Sequence, residues 1–233
     1  MSFIAACVQS TATTDVHADI RTLTGFIREA AGKGAGFVAT PEYCAGLDTR
    51  DGKMFPVAFP EGEHPVLPAM TGLAKELGIW LLVGSVGVRA PDGKIFNRSF
   101  MISPAGEIVA RYDKIHLFDI DLGDGRVYHE SATIEAGRQG VIAPCTDGTV
   151  GLSICYDIRF PHLYRAYAQA GAEMLAAPIL AAAAQNIALD GMVTTATALV
   201  LVGDSAWVAH IGDSRLYRVS NGRCRQITED DTL

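Results

Sequence analysis

The stretch Gly-Leu-Ser-Ile-Cys-Tyr-Asp-Ile-Arg-Phe-Pro, residues 151–161, is the most informative part of the sequence for the architecture. The apolar run over residues 148–155 predicts a buried strand, and apolar residues at helical spacing over 161–171 predict a helix directly after it. Cys155 therefore stands where a buried strand ends, which is a position that α/β proteins often use for functional side chains.

Strands and helices alternate on both sides of this stretch. The predicted strands are residues 2–9, 34–40, 79–88, 98–103, 108–112 and 173–178, and the predicted helices are residues 15–33 and 66–77. Residues 52–68 and 114–135 are rich in Gly or acidic residues and predict irregular segments. The order of elements predicts a mixed α/β protein with helices outside and two packed sheets inside.

The sequence changes in character after Pro178. Residues 181–189 predict a helix, and four strand-like runs follow it. Gly-Asp and Asn-Gly pairs separate these runs, and Asn-Gly is a strong hairpin signal. The four runs, residues 194–202, 205–211, 215–219 and 223–228, predict a C-terminal antiparallel β-meander.

Composition narrows the possible partners. The net charge of −7 disfavours nucleic acid and anionic membranes, so a small molecule is the expected partner. The sequence starts without a basic, apolar leader and contains no apolar run of the roughly 20 residues that a bilayer requires, which predicts a cytoplasmic protein. The five cysteines form no CxxC pair, which disfavours a disulfide framework and a zinc site.

Three residues at predicted strand ends supply the groups that acyl transfer from a carbon–nitrogen bond requires. Cys155 supplies a nucleophile, Glu42 a base, and Lys114 a positive charge for the oxyanion. Neighbouring strands are expected to bring them to one end of the sheet. Each residue also has an ordinary structural interpretation: Glu42 as a helix cap, Lys114 as a solvated charge and Cys155 as a core thiol.

The residues around these three positions resemble a known family. Residues 151–161 closely resemble the nucleophile motif of the nitrilase superfamily of carbon–nitrogen hydrolases. Thr-Pro-Glu-Tyr at 40–43 resembles the glutamate motif of that family, and Arg-Tyr-Asp-Lys-Ile-His-Leu-Phe at 111–118 resembles its lysine motif. The three matches occur in the family's order and at typical separations.

The resemblance implies a role for each matching residue. It implies that Glu42 acts as general base and then acid, and that Cys155 forms a thioester. Lys114 would hold the oxyanion together with the backbone N–H of Tyr156. Glu130 matches the second glutamate of the family, which positions the lysine and is sometimes counted as a fourth catalytic residue. No cofactor is implied.

The resemblance also implies a fold and a substrate class. Residues 1–178 would form a truncated amidase domain with the four-layer α-β-β-α sandwich of the family, and a homodimer is possible. Residues 119–131 look most like the amidases that hydrolyse small ω-amido acids, including deaminated glutathione. The expected reaction is therefore hydrolysis of a linear carboxamide to a carboxylate and ammonia.

Residues 186–233 resemble instead the middle of the metal-dependent type 2C Ser/Thr phosphatases, which suggests a chimera. Residues 179–233 are then expected to restore missing strands of the same sandwich and to cover its open sheet edge. Asp213 matches only an auxiliary metal position of those phosphatases, and a turn aspartate is its simpler interpretation. Two alternatives to the amidase follow: a folded scaffold with little or no turnover, or a metal-dependent phosphatase fragment.

Further polar residues near the motifs are given structural roles. Asp157 and Arg159 are predicted to form an ion pair that orients the nucleophile loop. His116, His129 and His162 lack ligand spacing and predict structural or surface positions.

Overall fold

The computed structural model describes residues 4–50, 53–121, 123, 127–145 and 148–177, together with the backbone of four later strands. The chain divides into two compact units, Met1–Ala181 and Ala182–Leu233. None of the helices in the described ranges is both long and apolar enough to cross a membrane.

Three helices form in the first unit where apolar residues recur at helical spacing. They are α1 (Val16–Gly32), α2 (Val66–Leu77) and α3 (Pro161–Gln169). Asp15 caps α1, because its carboxylate accepts a hydrogen bond from the Ala18 N–H at 2.9 Å. Gly78 ends α2 in a left-handed conformation with φ of 65°.

The strands of the first unit form two sheets and two hairpins. The strands are β1 (Ile4–Cys7), β2 (Ala35–Ala39), β3 (Leu47–Arg50), β4 (Lys53–Pro56), β5 (Ala58–Phe59), β6 (Trp80–Arg89), β7 (Ile95–Ile102), β8 (Ile108–Asp113), β9 (Asp119–Asp121), β10 (Val127–His129), β11 (Val141–Cys145), β12 (Gly148–Leu152) and β13 (Met174–Ala176). The larger sheet has the order β1-β2-β6-β7-β8, with β5 pairing β6, and the smaller sheet has the order β11-β12-β13. The β3–β4 and β9–β10 pairs are separate.

The two faces of the six-stranded sheet are buried against different neighbours. One face packs against α1 and α2 through an apolar cluster that includes Leu23, Met70 and Phe100. The other face meets the three-stranded sheet, where Met101 and Leu152 belong to a second apolar cluster. β6 is therefore buried on both faces along most of its length, which explains its nearly continuous apolar sequence.

α3 packs against the three-stranded sheet through Tyr167. The Tyr167 hydroxyl donates to the Leu152 carbonyl and accepts from the Val141 N–H. A Cβ on Gly151 would lie 2.6 Å from the Tyr167 ring, so only glycine permits this close contact without a shift of the ring. The helix that follows Cys155 is thereby fixed to the strand that precedes it.

The second unit contains two antiparallel hairpins. They are β14 (Ala196–Val202) with β15 (Ser205–Ile211), and β16 (Tyr217–Ser220) with β17 (Arg223–Gln226). The four strands lie where the sequence predicts them. The prediction of one continuous meander was wrong for the described residues, because these strands pair into two separate two-stranded sheets.

Several loop predictions were also wrong. The 52–68 segment contains β4 and β5, and the 114–135 segment contains the β9–β10 hairpin. These strands have two to four residues, so they are too short to show a period-two pattern. β11 was not predicted, and the strand predicted over 148–155 ends at Leu152, because the chain turns before Cys155.

Candidate active site

Glu42 lies in the turn that follows β2, and hydrogen bonds with β6 hold this turn in place. The Gly84 N–H donates to the Thr40 hydroxyl at 2.9 Å, and the Tyr43 N–H donates to the Ser85 hydroxyl at 2.9 Å. β6 is irregular at this point, since its register with β7 shifts between Val83 and Val86. A Cβ on Gly84 would lie 2.0 Å from the Thr40 carbonyl oxygen, so the close approach requires glycine.

Lys114 directly follows β8 and is held through its backbone. Its N–H donates to the Asn97 carbonyl at 3.0 Å, and its carbonyl accepts from the Gly137 N–H at 2.8 Å. A Cβ on Gly137 would lie 2.1 Å from the Asp113 carbonyl oxygen. Asp113 itself receives two hydrogen bonds from the Arg98 guanidinium, at 2.6 and 2.9 Å. The lysine is thus fixed on both sides.

Cys155 opens a short 3₁₀ turn, Cys155–Arg159, that begins after β12. Its φ is +46°, a left-handed conformation that is uncommon for a residue with a side chain. The neighbouring Ile154 N–H donates to the Asp157 carboxylate at 2.9 Å, which closes the turn. Tyr43, next to Glu42, has a similar φ of +44°, and backbone strain of this kind is common at functional sites.

The side chains of Glu42, Lys114 and Glu130 meet in one buried cluster. The Lys114 Nζ lies 3.0 Å from Glu42 Oε1 and 2.9 Å from Glu130 Oε2. Glu130 also accepts a hydrogen bond from the Phe118 N–H at 2.7 Å. The Lys114 and Glu42 side chains are each 2% exposed, so Lys114 is not a solvated charge. Glu42 does not cap a helix in this position.

The charges of this cluster change the pKa of the lysine and of the thiol. Burial alone would lower the pKa of Lys114, but Glu42, Cys155 and Glu130 raise it above its ordinary value, so the ammonium keeps its proton. Burial raises the pKa of the Cys155 thiol and Glu42 raises it further, although Lys114 opposes both effects. The thiol therefore rests protonated beside a carboxylate that can accept its proton.

The site lies between two sheets, which corrects the expectation of a single sheet end. β2 and β8 of the six-stranded sheet lead into Glu42 and Lys114, whereas β12 of the three-stranded sheet leads into Cys155. Facing sheets are brought together only by core packing. The order of strands along the sequence therefore does not indicate that these two sheets face each other.

Sequence reasoning missed Asn97, which lies on β7 and is fully buried. Its Nδ2 donates to Glu42 Oε1 at 2.8 Å. The available signal was an amide within the strand sequence Ile-Phe-Asn-Arg-Ser-Phe, at an inward position where an apolar residue is usual.

Asp157 connects the lysine segment with the cysteine turn. Its carboxylate accepts from the Tyr112 hydroxyl at 2.6 Å and from the His116 backbone N–H at 3.0 Å. The predicted ion pair with Arg159 was wrong, because Asp157 is fully buried and pairs with His116 Nδ1 at 2.6 Å, while Arg159 is exposed. The His116 ring stacks on Phe160 with centroids 3.6 Å apart, so it serves a structural role.

Aromatic rings surround the segment next to the thiol. Tyr156 packs edge-on against Phe118 at 5.1 Å and against Phe160 at 5.4 Å between centroids, and Phe118 also contacts Tyr128 at 5.4 Å. These contacts hold the backbone N–H of Tyr156 at the start of the 3₁₀ turn.

The remaining candidates do not form a metal centre in the described ranges. No group of three or more His, Cys, Asp or Glu side chains there has an arrangement that would hold a metal ion. Asp213 and the predicted helix at 181–189 lie outside the described residues.

The fold and the cluster define a class: an α/β protein in which a thiol, two carboxylates and an ammonium meet between two sheets. The carbon–nitrogen hydrolase family model matches residues 4–202, beyond Pro178. The chain belongs to this family and therefore to the nitrilase superfamily.

Known relatives agree with this assignment. The deaminated glutathione amidase of Synechocystis sp. is 35% identical over 181 residues, which cover 76% of this chain and 65% of that protein. The human omega-amidase NIT2 is 34% identical over 177 residues, with coverage of 76% and 63%. The chain thus spans slightly less than two thirds of these relatives. The crystal structure of Saccharomyces cerevisiae Nit3, a member of branch 10 of the nitrilase superfamily, superposes with a TM-score of 0.61, 26% identity and coverage of 73% and 61%.

Proposed function

We propose that this protein hydrolyses a small linear carboxamide to a carboxylate and ammonia through a thioester on Cys155. The observation that carries the proposal is the Lys114 ammonium, which lies within 3.0 Å of Glu42 and 2.9 Å of Glu130 in a buried site beside the thiol. Charged groups in a dry site act strongly on developing charge, so this cluster suits acyl transfer.

The first half of the reaction breaks the carbon–nitrogen bond. Glu42 takes the proton of Cys155 as Sγ attacks the amide carbon, and the carbonyl oxygen becomes an oxyanion. Lys114 and the backbone N–H of Tyr156 stabilise that oxyanion. Glu42 then passes its proton to the amide nitrogen, and ammonia leaves as the carbonyl re-forms in a thioester.

The second half returns the enzyme to its resting state. Glu42 removes a proton from water as the water oxygen attacks the thioester carbon, and the carboxylic acid leaves. The proton on Glu42 returns to the sulfur, which restores the neutral thiol. Glu130 takes no proton in this scheme. Its role is to hold the Lys114 ammonium in place, as its 2.9 Å contact allows.

The substrate class is proposed from the relatives and from residues 119–131. Curated relatives are named deaminated glutathione amidase and omega-amidase. We therefore infer an ω-amido acid, in which an aliphatic chain separates the reacting amide from a carboxylate. The rings of Phe118, Tyr128 and Tyr156 suit contact with such a chain.

The proposal is tested by incubating the protein with a series of small ω-amido acids and measuring ammonia. We expect turnover that is abolished in C155A. A protein that binds these amides without releasing ammonia would favour the inactive-scaffold alternative. Phosphatase activity that needs Mn²⁺ and survives C155A would favour the phosphatase fragment.

We further propose that residues 1–178 form the amidase part of a four-layer α-β-β-α sandwich and that residues 179–233 complete it as a phosphatase-like segment. The packing of helices and sheets in the first unit supports its sandwich, and the two hairpins support strands in the second unit. Residues 1–178 produced alone should aggregate through an open sheet edge. A well-behaved folded monomer, measured by light scattering and circular dichroism, would refute the completion role.

A further inference from the structure

We propose that Asn97 is a positioning residue for Glu42, and that it selects which oxygen of this carboxylate exchanges the proton with Cys155. This inference rests on the proposed function, because it assumes that Glu42 is the base. Asn97 and Lys114 hold Oε1, and Oε2 remains the oxygen that accepts the thiol proton.

The hydrogen bonds of the carboxylate are asymmetric. The Asn97 Nδ2 donates to Oε1 at 2.8 Å, and the Lys114 Nζ donates to the same oxygen at 3.0 Å. Both of these donors therefore bond Oε1, while the Cys155 thiol is a further hydrogen-bond partner of the same carboxylate. An oxygen that already accepts two hydrogen bonds is the poorer proton acceptor, so proton transfer falls to Oε2.

The orientation of the Asn97 amide follows from the chemistry of its partner. A carboxylate only accepts hydrogen bonds, so the NH₂ group must face Glu42 and the carbonyl Oδ1 must face away. Oδ1 is buried without a hydrogen-bond partner among the described residues. A buried acceptor without a partner is unfavourable for folding. The amide is thus better explained by what its NH₂ group does for Glu42 than by stability.

Asn97 also connects the base with the neighbouring ammonium. Its backbone carbonyl accepts from the Lys114 N–H at 3.0 Å, while its side chain holds Glu42. One residue of β7 therefore fixes the base and the neighbouring ammonium relative to each other. Without Asn97, the Lys114 ammonium alone would hold the carboxylate, and it can bond either oxygen as the group turns about its last torsion.

The test measures how fast Cys155 reacts with iodoacetamide, which requires deprotonation of the thiol but no amide turnover. A sulfur–carbon bond forms, iodide leaves and the thiol proton goes to the base. Peptide mapping by mass spectrometry separates Cys155 from the four other cysteines. The variants are N97L, which removes the donor, and N97D, which places a second carboxylate beside Glu42. S99A is the control, because Ser99 is buried on the same strand and donates to the Val83 carbonyl instead.

We expect N97L to slow alkylation about tenfold and E42Q to slow it by about 100-fold, since a general base contributes 10²–10⁴-fold. S99A should stay within about twofold of the wild type. N97D should move the acidic limb of the alkylation profile to higher pH, because two adjacent carboxylates share a proton. The melting temperature of N97L should not fall, since the variant also removes the unpartnered acceptor.

Two results would overturn the inference and leave the proposed function intact: N97L alkylated at the wild-type rate, or N97D with an unshifted profile, when E42Q is slow. If N97L does not fold, the profile of N97D alone decides. Wild-type alkylation in E42Q would instead contradict the role of Glu42 as the base.

Discussion

The Tyr112 hydroxyl donates a 2.6 Å hydrogen bond to the carboxylate of Asp157, and this contact joins the two sheets of the site. Tyr112 precedes the lysine segment on β8, whereas Asp157 belongs to the turn that Cys155 opens. Both residues are fully buried. The distance between the ammonium and the thiol therefore depends on a polar contact outside the reacting groups.

We predict that D157N lowers kcat/KM by about 100-fold, because a displacement of about 1 Å in the reacting groups costs that much. Its new NH₂ group would face a donor in either orientation: the Tyr112 hydroxyl and the Ile154 N–H at the position of Oδ2, or the His116 N–H at the position of Oδ1. The control is D92N, which changes an exposed turn residue. Ammonia release measures both variants, and equal rates for D157N and D92N would show that the contact does not position the site.

Glu130 offers a test of the charges around Lys114. E130Q should lower kcat/KM by about 10- to 100-fold, because the ammonium loses one of its two carboxylates. Glu130 raises the pKa of Lys114, so its removal lowers that pKa and moves the alkaline limb of the rate profile to lower pH. E135Q, which removes an exposed ion pair with Lys94, is the matched control and should leave the profile unchanged.

Gly84 and Gly72 provide a matched pair of glycine substitutions. G84A should unfold more easily by at least about 2 kcal/mol and lose activity, because its methyl group would overlap the carbonyl of Thr40, two residues before Glu42. G72A, on α2, has open space at Cβ and should stabilise the protein by about 0.5–1 kcal/mol. Urea unfolding measures both. A G84A variant as stable and active as the wild type would contradict the close approach.

We predict that the folded protein loses stability in mild acid because of His64. Burial lowers the pKa of its imidazole to about 4, and the Val66 N–H donates to its Nδ1. Between pH 6.5 and 4 the unfolded chain binds a proton that the folded chain does not, so stability falls as the pH falls, by up to about 3 kcal/mol. H64Q should flatten this slope in urea unfolding from pH 7 to pH 4. An unchanged slope would assign the loss to other groups.

Short-range sequence patterns were enough to predict the longer helices and the motifs of the site. Helical periodicity gave α1 and α2 to within a residue or two, and the motifs around Glu42, Lys114 and Cys155 named the residues that meet in the site. The short strands β4, β5, β9 and β10 were not predicted, because two to four residues are too few to show a periodic pattern.

Only the tertiary structure decided how these residues are supported. Asn97 and Asp157 are far from Glu42 and Lys114 in sequence, and nothing local indicates that one amide would hold the glutamate or that one carboxylate would join two sheets. Closeness in sequence predicted an ion pair between Asp157 and Arg159. In the structure the Asp157 carboxylate is buried and accepts a hydrogen bond from Tyr112 instead. The reason is physical: sequence patterns record which face of an element is apolar, whereas the partner of a buried polar atom is fixed by how the faces pack together.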